Sequence, residues 1–127
     1  MPRKLSRGEK PLDWVGSSKK DFLGFPAAVQ DEMGNALGVA QFGGRHTSAK
    51  PWKGQGPGVF ELVEDNNGDT YRAVYTVHFE EVVYVLHAFQ KKSPNRIRTA
   101  QLDINMVERR LKIAQQDHQS RHGKPKR

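Results

Sequence analysis

The segment Val82–Gln90 constrains the fold more than any other part of this chain. Read as a strand, it puts Val83, Val85, His87, Phe89 and the following Lys91 on one face. Val82, Tyr84, Leu86 and Ala88 then fall on the other. Successive strand residues point to opposite faces, and apolar residues on both faces need cover on both. The segment therefore reads as a central strand. It runs straight into Lys91-Lys92 and stops at Ser93-Pro94. Cations are not buried without partners, so this end belongs at the rim of a sheet, facing something negative. Phosphate is the usual group of that kind.

The flanking elements follow from spacing and turn chemistry. Leu12–Val15 suits a short edge strand. Ser18 followed by Asp21 resembles a helix start, with Phe22 and Phe25 carried inward and a stop near Gly24. From Pro26, residues Val29, Met33, Ala36, Leu37 and Ala40 recur at spacings of three and four, as on an amphipathic helix. Residues 44–58 hold Pro51, Gly54, Gly56, Pro57 and Gly58 and predict an irregular loop. Long unstructured loops are often functional, but this one also reads as an ordinary connection pinned by Trp52. Val59–Glu64 and Thr70–Phe79 are strands joined by Asn66-Asn67-Gly68-Asp69, a two-residue hairpin signal. Glu80-Glu81 turns the chain into the central strand. After Pro94, Thr99 or a neighbour caps a helix to about His118, with Ala100, Ile104, Val107, Leu111 and Ala114 as its seam.

The expected class is α+β: a mainly antiparallel sheet with two N-terminal helices and a C-terminal helix, packed on one side. A single domain over residues 11–118 is expected between a disordered basic arm (1–10) and a disordered basic tail (119–127). The chain of 127 residues is long enough for one core without a staple. It has no cysteine, which excludes disulfides, thiolate metal sites and thiol catalysis. No apolar run approaches the ~20 residues of a membrane-crossing helix, so a cytoplasmic protein without membrane contact is expected.

With 21 Lys+Arg against 14 Asp+Glu, the formal net charge is +7. That balance makes nucleic acid the default partner class. Pairing about Glu80-Glu81 places Arg72 near Phe89, close to Lys91 and Lys92. Three cations then meet at one sheet edge, where they could hold a phosphate and stabilise a pentacoordinate transition state. The plain alternatives are a solvated strand end for the lysines and an ion pair with Glu61 for Arg72. A lone strand histidine is more often a satisfied core residue, and His87 is read so first, with a catalytic role as the alternative. His118 and His122 are spaced i,i+4 but lack a third ligand, so no metal site is expected. No cofactor motif is present. RNA cleavage needs none, because the 2′-hydroxyl supplies the nucleophile.

Four segments carry a family resemblance: Pro51-Trp52-Lys53-Gly54, Gly58-Val59-Phe60-Glu61-Leu62, Tyr71-Arg72-Ala73-Val74-Tyr75 and Leu86-His87-Ala88-Phe89-Gln90-Lys91-Lys92-Ser93. In order and spacing, over roughly residues 12–115, they resemble the phage-related branch of the RelE/HigB toxin superfamily. The resemblance implies a microbial-RNase-type fold and a type II toxin that cleaves mRNA, often on the ribosome. It also implies a helix-turn-helix antitoxin, through which operator DNA is bound indirectly. By position, Arg72, Lys91 and Lys92 become the phosphate-binding and transition-state-stabilising residues, with His87 and Tyr75 as further catalytic candidates. Lys50, Lys53, Arg72 and Arg96 become the RNA contacts. One departure stands out: Val63, where many relatives carry arginine directly after Glu-Leu. That missing cation keeps open a non-catalytic module, a decayed toxin or phage-derived protein that only binds nucleic acid or protein.

Overall fold

A computed structural model describes residues 4–91 and 96–123, with residues 96–100 as backbone only. The chain forms β1 (Leu12–Trp14), α1 (Ser18–Leu23), α2 (Ala27–Gln41), β2 (Lys50–Pro51), β3 (Val59–Asn66), β4 (Asp69–Thr76), β5 (Val83–Lys91) and α3 (Arg96–His122). The sheet order is β1-β5-β4-β3-β2. β1 runs parallel to β5 and the remaining pairs are antiparallel. Among the described residues, no helix is long and apolar enough to cross a membrane.

Helices cover both faces of the sheet rather than one. Phe22 of α1 and Val29, Met33 and Leu37 of α2 pack with Leu62, Tyr71, Ala73, Tyr75, Val83 and Val85. On the opposite face Val107, Leu111 and Ala114 of α3 pack with Val59, Val74, Tyr84 and Leu86. The doubly apolar pattern of β5 is the reason, since each face of that strand must leave water.

The Asn67-Gly68 hairpin forms as its sequence demands. Asn67 has φ 50° and Gly68 φ 86°, and Asn66 pairs with Asp69. The predicted irregular loop is not wholly irregular, because Lys50 and Pro51 pair with Glu61 and Phe60. Proline is tolerated there because β2 is an edge strand. The turn between β4 and β5 is longer than a tight hairpin: the ladder ends at Thr76↔Tyr84. Phe79 and Val82 of that turn are buried in the α3-side core.

A β-bulge in β5 alters the expected alternation. Tyr75 pairs with Val85 and Val74 with His87, which leaves Leu86 as the extra residue. Leu86 therefore lies in the α3-side core while Ala88 lies in the other. The bulge moves His87, Phe89 and Lys91 off the face of Val83 and Val85. It also compensates for the longer turn, so that Arg72 still pairs with Phe89.

Beyond Val85, β5 outruns its three-residue partner β1. Local donors take over this edge. The Val85 carbonyl accepts from Val15 N–H at 2.9 Å and from Ser18 Oγ at 3.1 Å. The Leu86 carbonyl accepts from Arg110 Nη1 at 3.1 Å. Helix α3 starts at Arg96, ahead of Thr99. Its seam is tight at Val107 and Ala114, both 0% exposed, but Ile104 is 36% exposed. The inward stripe thus runs through Asp103 and Val107, and Ile104 falls beside it.

Candidate functional site

Three cross-sheet rows lie side by side on the α3 face. The first is Lys50, Glu61, Val74 and His87; the second is Val63, Arg72 and Phe89; the third is Asp65, Thr70 and Lys91. Residues directly opposite in an antiparallel ladder share a face, and Val74 fixes which face this is. Arg72 and Lys91 are therefore diagonal neighbours, a separation of roughly 7–8 Å between backbone positions. The structure makes Arg72 and Lys91 neighbours near the hairpin end of the sheet, both partly exposed; Lys50 is exposed on the same face but on the far edge strand, three strands across and four positions along from Lys91.

Arg72 is held by a carboxylate. Its Nη1 donates to Glu61 Oε1 at 2.7 Å, and 25% of the arginine side chain remains exposed. Its Nε is buried and has no hydrogen-bond partner among the described residues. Val63 stands directly opposite Arg72. The arginine that the resemblance leads one to expect at this position would have faced Arg72 across the ladder.

Lys53 is exposed in the loop after β2. Lys92 lies outside the described residues, as does the side chain of Arg96. Tyr75 is not brought to the cationic row. It is 1% exposed on the opposite face, its ring centroid 5.8 Å from that of Phe60, and burial pushes its phenol up from the ordinary value. This placement is inherent in strand alternation, since Tyr75 is an odd number of residues from Arg72.

His87 shares the α3 face but is engaged by the helix. Its Nε2 lies 2.9 Å from Asp103 Oδ1, and its ring stacks on Phe89 with centroids 4.5 Å apart. Burial lowers its pKa, outweighing the opposing pull of Asp103. Its Nδ1 is buried and has no partner among the described residues. Asp103 was not foreseen as a partner. Its one sequence signal is its position four residues before Val107, on the inward stripe of the helix.

His118 places Nε2 2.6 Å from Glu81 Oε1 and stacks on both Phe79 and His122. Among the described residues, no group of three His, Cys, Asp or Glu is arranged to hold a metal.

What this arrangement can do is bind an anion on a rigid strand surface and neutralise charge that grows on it. Residues 20–112 match the family described as phage derived protein Gp49-like (DUF891). The fold is similar to that of the isolated E. coli RelE toxin, with 22% identity and a TM-score of 0.53 over 75% of this chain and 98% of that one. It is also similar to the toxin in the intact E. coli RelBE toxin-antitoxin complex, with 22% identity and a TM-score of 0.51 over 66% and 99% of the two chains. No curated protein sequence matches at significance. The family match spans β3, β4 and β5 and so includes Glu61, Arg72 and Lys91. The chain thus belongs to the phage-derived Gp49-like family and has the fold of the RelE toxin.

Proposed function

We propose that the protein is the toxin of a type II toxin–antitoxin pair and cleaves mRNA as a metal-independent endoribonuclease. The observation that supports this most directly is the placement of Arg72 and Lys91 as partly exposed diagonal neighbours on the α3 face, with Lys50 exposed further along the same face. In the reaction the 2′-oxygen attacks the adjacent phosphorus and loses its proton. The P–O5′ bond breaks and the 5′-oxygen gains a proton, leaving a 2′,3′-cyclic phosphate and a 5′-hydroxyl. Arg72 and Lys91 hold the non-bridging oxygens and stabilise the charge that accumulates on them in the transition state. Lys92 adds to that charge, while Lys50, Lys53 and Arg96 extend contacts along the backbone.

The partner is a helix-turn-helix antitoxin, through which operator DNA is reached. The similar E. coli toxin is held in a complex with its antitoxin, which supports a partner of that kind. Work on ribosome-bound mRNA in the cytoplasm completes the reading. The test is induced expression of the wild type beside an Arg72→Ala/Lys91→Ala/Lys92→Ala variant. Growth arrest and cleaved mRNA are expected from the wild type alone. Equal growth with intact mRNA in both would remove the enzyme.

One observation favours a second reading. Val63 directly opposite Arg72 leaves the row one cation short of the family pattern. A binding module without catalysis would retain RNA or antitoxin affinity and yield no cyclic-phosphate ends.

A further inference from the structure

Two carboxylates lie amid the cations of this face: Asp65, which accepts from Thr70 Oγ1 in the row of Lys91, and Glu61. Glu61 stands opposite Lys50 and accepts from Arg72 Nη1 at 2.7 Å. Only 17% of its side chain is exposed. The same guanidinium keeps Nε buried and, among the described residues, unpartnered. Arginine presents its donors as a planar fork that can grip a carboxylate or a phosphate with two parallel bonds. Here the carboxylate uses one Nη and leaves the Nε donor unused. A buried unpaired donor is unfavourable, so a pair serving structure alone would be expected to close that second bond. A carboxylate and a phosphodiester are also alike in kind: each presents two oxygens that share one negative charge.

We propose that Glu61 is a resident stand-in for phosphate. In the free protein it occupies Arg72, and a phosphodiester of single-stranded RNA binds by displacing it and by taking up the unused Nε donor. The inference rests on the proposed RNA-binding role of this face and adds a built-in competitor to it. RNA must outcompete an anion already in place, which lowers affinity for stray phosphates and favours ligands held at several points, as a strand crossing Lys50 and Lys91 would be.

The test uses a fully 2′-O-methylated oligonucleotide, which cannot be cleaved, and fluorescence anisotropy with the whole chain. Glu61→Gln keeps shape and a hydrogen-bond acceptor but removes the charge. It is expected to bind roughly two- to fivefold more tightly than wild type, the scale of one partly screened charge pair. In an Arg72→Ala background the gain should largely vanish, because no guanidinium is left to release. Equal or weaker binding by Glu61→Gln would overturn the proposal, as would a gain that persists in full without Arg72. If Arg72→Ala alone leaves binding unchanged, the RNA-binding role of the face fails first, and that result is read separately. Should Glu61→Gln not fold, the wild type decides. On titration with inorganic phosphate, the Arg72 Nε–H signal in ¹⁵N–¹H spectra should move, and an unmoved signal at saturation overturns the stand-in.

Discussion

Gly16 lies directly against the guanidinium of Arg110: a Cβ on Gly16 would stand 2.9 Å from Arg110 Nε. Gly16 also has φ +58°, where a side chain is strained. Arg110 is 9% exposed and donates from Nη1 to the Leu86 carbonyl and from Nη2 to Ser17 Oγ, each at 3.1 Å. A single side chain thus ties α3 to the turn before α1 and to the bulge of β5. Gly16→Ala should destabilise the protein by about 2–3 kcal/mol, combining left-handed strain with displacement of a buried arginine. Urea denaturation measures this, and a change within about 0.5 kcal/mol, the scale of an ordinary surface substitution, would refute it.

Tyr84 performs a similar service at the far end of α3. Its hydroxyl donates to Asp117 Oδ2 at 2.5 Å, and burial together with Asp117 pushes the phenol up to about 12. An unfolded tyrosine ionises near 10. The folded state keeps its proton longer, so this contribution is complete below about pH 10 and is lost between there and about 12. Tyr84→Phe should cost about 1 kcal/mol at neutral pH. Its stability should also fall less steeply than that of wild type between pH 10 and 12, as read by denaturant melts.

Much of this fold is legible in residues close together in sequence. Asn67-Gly68 fixes a hairpin because both positions need positive φ, and the spacing of Val29, Met33 and Leu37 fixes a helix face. The Arg72–Glu61 pair follows from that hairpin alone. What could not be read depends on distant partners. Nothing local marks the bulge at Leu86, which shows only in the pairing of β5 with β4. The parallel pairing of β1 with β5 also leaves no local signature, since it joins segments separated by most of the chain. The placement of His87 against Asp103 required the bulge and the helix together.

Tyr75 gives a direct functional check on the face assignment. It is 1% exposed among the α2-side residues, while Arg72 is on the opposite side of the sheet. Tyr75→Phe keeps the ring and its packing against Phe60. RNA cleavage by this variant should stay within about twofold of wild type, well short of the ~100-fold or greater loss expected on removing an acid–base group. A loss of that larger size would mean that the phenol reaches the substrate, and the face assignment would have to be abandoned.

His87 links pH to stability. Burial holds its pKa below the ordinary value, against the raising effects of Asp103 and Asp21 and with the lowering effect of Arg110. The unfolded chain takes up a proton near pH 6.5, and the folded chain resists until lower pH. Unfolded molecules therefore bind more protons in the window just below that value, and stability falls as pH drops through it. Thermal melts at pH 7.5 and 5.5 should show a decrease for the wild type. His87→Gln, which cannot titrate, should show a smaller one. Asp103→Asn removes the main raising influence and should make the acid sensitivity greater than in wild type. Identical pH slopes in all three proteins would show that the histidine is not kept neutral by its burial between β5 and α3.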